Sequence, residues 1–159
     1  ITSGAIGKSY LPNSTAKRKD IAIMIARAVD VTTTKETKYQ DIQNLIGGST
    51  IQALLETSIM KGKTATQFSP YANVTRQEGA IILANMLRYL NDDVTKAHSE
   101  QTSNYTDVKA LTHEAKQSIA ILEIAGVLDG EGEFDPTAQL TRAEFAEMLY
   151  KTMQNAKLL

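Results

Sequence analysis

The amino-acid sequence predicts an all-α fold in which one helix–loop–helix unit occurs three times. The first observation is a repeated segment in which an aromatic residue, a proline and a basic–acidic run follow one another. Its three copies are YLPNSTAKRKDIA (10–22), FSPYANVTRQEGA (68–80) and FDPTAQLTRAEFA (134–146). The second observation is that apolar residues at helical spacing follow each copy. Three such stripes can bury one another, which predicts a central three-helix core.

The spacing of matching residues gives the organisation of the chain. Tyr39 and Pro70 recur 66 residues later as Tyr105 and Pro136, and the first copy matches the second at an offset of 58. A fixed period of this kind is typical of repeat architectures. We therefore divide the chain into repeat one (1–38), which lacks its first helix, repeat two with its linker (39–104) and repeat three (105–159).

The first helix of a full repeat is predicted over residues 50–61 and 113–128, where apolar side chains recur at helical spacing. Gly62 and Gly130 are the predicted C-terminal stops, because glycine readily adopts the left-handed conformation that ends many helices. Gly4 is the corresponding residue of repeat one.

The second helix begins at TRQE in repeat two and at TRAE in repeat three. Thr75 with Glu78, and Thr141 with Glu144, fit a capping box, in which the hydroxyl and the carboxylate satisfy each other's backbone amides. Repeat one carries Lys17 at this position and so lacks the hydroxyl cap.

Composition excludes several classes of function. With 17 basic and 18 acidic side chains the net charge is -1, so the broad basic field of a nucleic-acid binder is absent. No cysteine, membrane-length apolar run or signal peptide occurs in the sequence. His98 and His113 lie in unrelated contexts. We therefore expect no catalytic residue, no metal site, no cofactor and no membrane insertion.

The segment DGEGEFDPTAQL (129–140) has acidic residues at alternating positions, as a calcium loop does. It carries Phe134 where the sharp turn of such a loop needs glycine, and Leu140 where a bidentate glutamate belongs. We therefore reject a calcium site here.

Taken together, these motifs resemble the S-layer homology (SLH) repeat of bacterial cell-surface proteins. The resemblance rests on Y-x-D before the first helix, G-I/V-x-x-G at its end, the F-x-P loop and TRAE at the start of the second helix. It covers nearly the whole chain, as two full repeats and the second half of another.

The resemblance implies a pseudo-threefold arrangement of tandem repeats that anchors proteins non-covalently to the Gram-positive cell wall. Members of the family bind secondary cell-wall polysaccharide, often with a pyruvate ketal on N-acetylmannosamine, in grooves between repeats. The family's basic residue in TRAE meets the anionic sugar. Carried over, it corresponds to Arg76, to Arg142 and to Arg18 in the KRKD of repeat one. Other S-layer subunits are implied as partners of the rest of the parent protein.

The chemistry of these positions supports the same interpretation. A helix N-terminus favours anions, and an arginine after the cap adds a planar donor fork that matches a carboxylate. Gly62, Gly130 and Gly4 could bring backbone donors near sugar hydroxyls. The alternative is that each arginine is solvated or pairs with Asp20, Glu78 or Glu144 on its own helix. We expect Asp41 and Asp107 to brace the first helix, and Phe68, Phe134 and Tyr10 to pack inward.

The sequence thus predicts an extracellular, non-enzymatic anchor that binds anionic wall polysaccharide, with Arg76 and Arg142 as charge partners. On that hypothesis, replacing either arginine by alanine lowers affinity without unfolding the domain. The alternative function is a protein–protein interaction module that uses the helical repeat surface.

Overall fold

The computed structural model describes residues 11–90 and 101–158, and the predicted all-α class is confirmed. Within these ranges the only extended pairings are three isolated bridges. Gly4, Tyr10 and His98 lie outside the described residues. A short 3-10 turn covers Gln40–Ile42. The helices are α1 (Arg18–Ala28), α2 (Gly48–Glu56), α3 (Arg76–Leu90), α4 (His113–Ile124) and α5 (Arg142–Asn155).

A closed ring of backbone hydrogen bonds joins the three repeats at the centre. The N–H of Ala16 donates to the carbonyl of Leu140 (2.8 Å), that of Leu140 to Val74 (2.9 Å), and that of Val74 back to Ala16 (3.2 Å). All three residues are buried and occupy the same position, just before the second helix of their repeats. The predicted pseudo-threefold arrangement is therefore present, and repeat one takes a full part in it.

The second helices form the central core, where α5 contacts both α1 and α3. Ile21, Gly79 and Phe145 occupy one equivalent position on these helices, and each is buried. A Cβ on Gly79 would lie 3.3 Å from Leu140 and 4.0 Å from the Phe145 ring. Gly79 thus lies opposite Phe145, so that the summed volume of the three side chains fits the space between the second helices.

Each first helix packs on the second helix of the preceding repeat. Helix α2 of repeat two lies against α1 of repeat one, and α4 of repeat three lies against α3 of repeat two. Both contacts bury apolar side chains of the first helices in one shared core. These side chains are Ile51 and Leu54 of α2 and Ile119 and Leu122 of α4. The repeats therefore share one core, and the faces between them are built by residues from two repeats.

The first helices end earlier than the sequence predicted. Helix α2 ends at Glu56 and α4 at Ile124. The left-handed residue that follows each helix is Ser58 (φ 63°) or Gly126 (φ 67°). Gly62 and Gly130 lie four residues beyond these stops, so the prediction that they end the helices is wrong. The apolar residues after the stop, such as Ile59 and Val127, are buried in the loop and extend the helical pattern without extending the helix.

The aromatic residue of each F-x-P loop is an inward anchor, as predicted. Phe68 and Phe134 have no exposed surface. The residue after the aromatic has a positive φ in every repeat: 50° at Leu11, 60° at Ser69 and 56° at Asp135. Because this conformation is unfavourable for residues with a side chain, other contacts must hold the loop.

Asp41 and Asp107 supply those contacts. The carboxylate of Asp41 accepts the N–H of Phe68 (3.0 Å) and of Ser69 (2.7 Å). The carboxylate of Asp107 accepts the N–H of Phe134 and of Asp135, both at 2.8 Å. The expectation that these aspartates brace the first helix is therefore wrong, because their carboxylates hold the loop 27 and 28 residues further along the chain.

Candidate ligand-binding grooves

The N-termini of the three second helices are joined to the neighbouring repeats by their backbone. The first two N–H groups of each helix donate to carbonyls of the F-x-P loop of the next repeat around the ring. These bonds, of 2.9–3.0 Å, are Arg18 to Ala72, Lys19 to Pro70, Arg76 to Ala138, Gln77 to Pro136, Arg142 to Ser14 and Ala143 to Pro12. The prediction that unpaired amides at these helix starts favour an anion is therefore wrong for these two donors.

The next amide of α3 and of α5 is used by the predicted capping boxes. Glu144 donates its N–H to the Thr141 hydroxyl (3.2 Å), and its carboxylate accepts the N–H of Thr141 (2.8 Å). Thr75 and Glu78 make the same two contacts at 3.4 and 3.0 Å. Helix α1 has no side-chain cap, as Lys17 predicted. The first three amides of α3 and of α5 are thus paired and are not free donors for a ligand.

The arginine at the start of the second helix in repeats one and two reaches the aromatic residue of the next repeat. Arg18 donates from Nε to the carbonyl of Phe68 (2.9 Å), and its guanidinium lies 4.7 Å from the centre of the Phe68 ring. Arg76 repeats both contacts with Phe134, at 2.7 and 5.0 Å. Arg18 also donates from Nη2 to the carbonyl of Lys61 (2.7 Å). These contacts fix the guanidinium groups between two repeats.

The acidic partners of the arginines also lie on neighbouring repeats. Arg76 Nη1 is 3.4 Å from a carboxylate oxygen of Glu144, and Arg142 Nη1 is 3.0 Å from one of Asp20. Asp20 and Glu144 occupy the same position on their helices. Pairing with an acid on the arginine's own helix, the alternative considered above, is therefore wrong for these two residues.

Arg18 and Glu78 occupy the corresponding positions at the boundary between repeats one and two. Arg18 is only 5% exposed, and burial lowers the pKa of its guanidinium, while the charges of Glu78 and Asp41 oppose that shift. Burial alone would raise the pKa of Glu78, but Lys63, the Thr75 amide and Arg18 together leave it below its usual value. The carboxylate of Glu78 forms an ion pair with the ammonium of Lys63.

The Arg18 groove lies between repeats one and two. We give this name to the depression lined by Arg18, by residues of repeat two and by Glu114 of repeat three, which has a volume of about 210 Å³. Its polar side chains besides Arg18 are Lys61, Lys63, Glu78, Asn85 and Glu114, and its apolar side chains are Ile59, Met60, Ile81 and Ile82.

The Arg76 groove is its counterpart between repeats two and three, with a volume of about 310 Å³. It contains Arg76 and most of the residues of repeat three that correspond to those of the Arg18 groove, with Lys151 at the position of Asn85. Its titratable side chains besides Arg76 are Tyr105, Asp129, Glu131, Glu133, Glu144, Glu147 and Lys151. The same site is thus built twice, each time from the arginine of one repeat and the loop and second helix of the next.

The predicted glycines have different places in these grooves. Gly62 lines the Arg18 groove, whereas Gly130 lies between two lining residues of the Arg76 groove, Asp129 and Glu131. A Cβ on Gly62 would lie 2.4 Å from the Tyr39 ring and 2.9 Å from the carbonyl of Gln67. Glycine is thus required at position 62 by close packing, a role that the sequence did not indicate.

Arg142 lies in neither groove. Its own groove would be completed by the residues of repeat one that correspond to Lys61, Gly62 and Phe68, which fall within residues 1–10 and outside the described part of the chain. The ion pair with Asp20 nevertheless places Arg142 at the boundary between repeats three and one. The structure therefore brings Arg18 and Arg76, but not Arg142, into a described groove.

Sequence reasoning missed Lys61, Lys63 and Glu131 as groove residues. The signal was present, because an offset of 68 residues places Lys61 on Asp129 and Lys63 on Glu131. Only the structure shows that these exposed loop positions face the arginine of the preceding repeat.

Residues 11–90 and 101–158 hold no group of three or more histidine or acidic side chains arranged to bind a metal ion. None of the five helices has the length and apolarity needed to cross a bilayer.

Comparison with protein families decides the identity of the repeats. Residues 39–80 and 104–146, together more than half of the chain, match the sequence model of the S-layer homology domain. The chain belongs to the S-layer homology family. The backbone ring at Ala16 extends the same local geometry to residues that precede the first matched stretch.

Several curated proteins share this S-layer homology region. The chain is 24% identical to the surface-layer 125 kDa protein of Lysinibacillus sphaericus over 98% of its own length, and 31% identical to the cellulosome-anchoring protein of Acetivibrio thermocellus over 76%. It is 23% identical to an endoglucanase of Bacillus sp. strain KSM-635 over 94%. The chain spans only 13%, 26% and 16% of these three proteins, respectively.

Family membership makes the chain a cell-surface anchoring module. It also places the chain outside the cell, in the cell wall or S-layer, as the sequence analysis expected. The similarity to an endoglucanase is confined to a small part of that enzyme and concerns the same S-layer homology region.

Proposed function

We propose that this S-layer homology domain is a non-enzymatic anchor that binds an anionic secondary cell-wall polysaccharide in the grooves between its repeats. The acidic group of the polymer would be a carboxylate such as that of a pyruvate ketal. The observation that carries the proposal is the duplicated groove, in which Arg18 and Arg76 hold equivalent positions beside Phe68 and Phe134.

The geometry of the arginines supports such a role. The guanidinium groups of Arg18 and Arg76 each lie over an aromatic ring and donate to a loop carbonyl. Because both side chains are already fixed, little side-chain entropy is lost when a ligand binds. Arginine presents five donors, of which Arg18 spends two on the carbonyls of Phe68 and Lys61. The remaining donors suit a carboxylate or a sugar hydroxyl.

The other groove residues suit a sugar. In the Arg18 groove, the side chains of Ile59, Met60 and Ile82 offer apolar surface for the C–H face of a pyranose ring, and Asn85 offers an amide. A volume of about 210 Å³ is smaller than the usual site for a drug-sized ligand, so the groove suits one sugar residue of a polymer.

Weak binding of single sugars is sufficient for an anchor. Because successive units of one polymer can occupy different grooves, the second contact is intramolecular and the overall affinity exceeds that of each groove. The site residues of this proposal are Arg18, Arg76, Arg142, Gly62, Gly130 and Gly4, distributed over repeats 1–38, 39–104 and 105–159. S-layer subunits remain the proposed partners of the rest of the parent protein.

Co-sedimentation with purified Gram-positive wall sacculi tests the proposal. The protein is mixed with native sacculi and with sacculi from which acid has removed the secondary polymer. We expect binding to native sacculi and its loss after stripping. Equal binding to both preparations would overturn the proposal. It would favour the alternative, a protein–protein interaction module. The mass of the domain in solution would then show whether the domain associates with itself.

A further inference from the structure

The two grooves have opposite charge at equivalent positions. Lys61 of the Arg18 groove corresponds to Asp129 of the Arg76 groove, and Lys63 corresponds to Glu131. On the second helices, Ile81 corresponds to Glu147. All of these residues line their grooves, so the differences are directed at whatever the grooves bind.

The charges around the Arg18 groove favour an anion. Its lining contains three cations, Arg18, Lys61 and Lys63, against two carboxylates, Glu78 and Glu114. Glu78 is already compensated by its ion pair with Lys63. Lys61 is exposed and has no ion pair among the residues that the structure describes. Its ammonium is therefore available to a ligand without the loss of an existing contact.

The charges around the Arg76 groove oppose an anion. Its lining contains two cations, Arg76 and Lys151, against the five carboxylates of Asp129, Glu131, Glu133, Glu144 and Glu147. Both cations are engaged: Arg76 lies 3.4 Å from Glu144, and Lys151 lies 2.9 Å from Glu147.

Among the residues that the structure describes, the carboxylates of Asp129, Glu131 and Glu133 form no ion pair, although the Tyr105 hydroxyl and then the charge of Lys151 help to lower the pKa of Asp129. Asp129 accepts a hydrogen bond from the Tyr105 hydroxyl (2.7 Å), a neutral donor that leaves its negative charge in place. Glu131 and Glu133 are exposed at the rim. In a concave site the fields of like charges add, and a ligand that enters meets them at less than the screening distance of physiological salt.

Volume alone would rank the grooves in the reverse order, because the acidic Arg76 groove is the larger of the two. Size and charge therefore make different predictions for a carboxylate-bearing sugar. Opposite charges at short range discriminate between partners, whereas the volumes differ by only about 100 Å³.

We infer that the two grooves are not equivalent: the Arg18 groove takes the carboxylate-bearing glycan and the Arg76 groove repels it, with Lys61 and Lys63 as the residues that determine the difference. This inference rests on the proposed function, since it names which groove carries the polysaccharide binding. It also means that the arginine is not sufficient for binding, and that the loop residues three and five positions after the Ser58 or Gly126 turn select the charge of the ligand.

Charge exchange between the grooves tests the inference. One variant, Lys61→Asp with Lys63→Glu, gives the Arg18 groove the residue types of the other. The reciprocal variant, Asp129→Lys with Glu131→Lys, makes the Arg76 groove basic. The control, Lys38→Glu with Lys109→Glu, changes the net charge as much as the first variant does, at exposed positions that line neither groove. Binding isotherms are measured with native and with acid-stripped sacculi.

We expect the first variant to bind native sacculi at least about fivefold more weakly than the control. The reciprocal variant should bind at least as tightly as the unmodified domain. Lys61→Glu alone provides a second variant, because Lys61 makes no described ion pair whose loss could affect folding. Its affinity should also fall below that of a single Lys109→Glu control.

The outcomes separate this inference from the proposed function. If the unmodified domain does not distinguish native from stripped sacculi, the proposed function fails. If it does, but the Lys61 and Lys63 variants bind as well as their controls, the proposed function stands and the inference is overturned. A loss of affinity in the reciprocal variant greater than in the control would also overturn it.

Discussion

Arg76 and Phe134 form one of the contacts that join repeat two to repeat three. The Nε of Arg76 donates to the Phe134 carbonyl at 2.7 Å while the guanidinium lies 5.0 Å from the centre of the Phe134 ring. Arg18 and Phe68 form the same contact between repeats one and two. The arginine proposed to meet the ligand is thus also part of the framework, which changes what its substitution is expected to do.

Arg76→Ala is expected to lower the free energy of unfolding by about 2–4 kcal/mol. It removes the donor of a half-buried carbonyl, the cation–π contact and the ion pair with Glu144. Urea denaturation followed by circular dichroism measures the change. Arg88→Ala, on the same helix, is the matched control, because the described contact of the Arg88 side chain is a hydrogen bond to Asn85 within that helix. Equal stability of the two variants would contradict the framework role.

This expectation revises the sequence-based hypothesis that alanine at Arg76 lowers affinity without affecting the fold. A weaker wall affinity of Arg76→Ala would have two causes, loss of a ligand contact and loss of the loop position. For that reason, the exposed lysines Lys61 and Lys63 are the better probes of binding.

Asp107→Asn is expected to remove an acid-sensitive part of the stability. Burial alone would raise the pKa of Asp107, but hydrogen bonds from the amides of Phe134 and Asp135 outweigh it and hold the pKa below its usual value. A carboxyl group whose pKa is lower in the folded state stabilises above its unfolded pKa of about 3.9, and this contribution is lost as the pH falls through the folded value.

The measurement is the free energy of unfolding between pH 6 and pH 2. It is obtained from urea titrations at steps of about half a pH unit. The unmodified domain should lose more stability below about pH 4 than Asp107→Asn does. Glu36→Gln, at an exposed site without such amide contacts, serves as the control. If the free energy of unfolding falls with pH equally in Asp107→Asn and in the unmodified domain, the Asp107 carboxylate does not hold the loop.

Tyr105→Phe is expected to change stability in alkaline solution. Burial, together with the hydrogen bond to Asp129, raises the pKa of the Tyr105 phenol to about 12. A group whose pKa is raised by folding contributes stability that is fully present below its unfolded pKa of about 10 and is lost as the pH rises through the folded value.

Between pH 10 and about 12, the unmodified domain should therefore lose stability more steeply than Tyr105→Phe. Urea denaturation at fixed alkaline pH gives the stability, and the tyrosinate absorbance of the folded domain gives the phenol pKa. Tyr71→Phe removes a phenol that is 64% exposed and provides the control. If the absorbance of the folded domain shows no tyrosine whose ionisation is delayed beyond pH 11, the prediction is wrong.

Gly62→Ala is expected to destabilise the domain by at least about 2 kcal/mol. The new Cβ would lie within 3.0 Å of the Tyr39 ring and of the carbonyls of Thr64 and Gln67, and backbone atoms cannot easily move away. Gly132→Ala is the control, because its Cβ meets no atom within 4 Å and only the positive φ of 72° opposes it, at a cost of about 1 kcal/mol. Thermal unfolding of both variants measures the difference, and a milder effect at Gly62 would contradict the packing role.

The local features of the helices could be predicted from the sequence. The capping boxes at Thr75 and Thr141 are confirmed, since they depend on residues only three positions apart. The inward packing of Phe68 and Phe134 is confirmed as well. The predicted ends of the first helices were wrong, because Ile59 and Val127 continue the apolar pattern beyond the helix into a buried loop.

The partners of the polar residues could not be predicted in the same way. Arg76 and Glu144 are 68 residues apart, and Asp20 and Arg142 are 122 apart. Each of these acids lies two residues after the arginine of its own helix, a spacing that places the two side chains on different faces of the helix. The arginine that each acid meets belongs to a neighbouring repeat, and only the cyclic arrangement of the repeats identifies it.

The sequence by itself determined the family, the helical class, the number of repeats and the arginine that recurs in each, because periodicity and short motifs are written along the chain. Only the tertiary structure decided which repeat each arginine faces, what holds the F-x-P loop and which charges surround a groove. The physical reason is that each described groove is built from more than one repeat. Its field depends on side chains such as Lys61 and Asp129, whose neighbours are chosen by the packing of helices around the central ring.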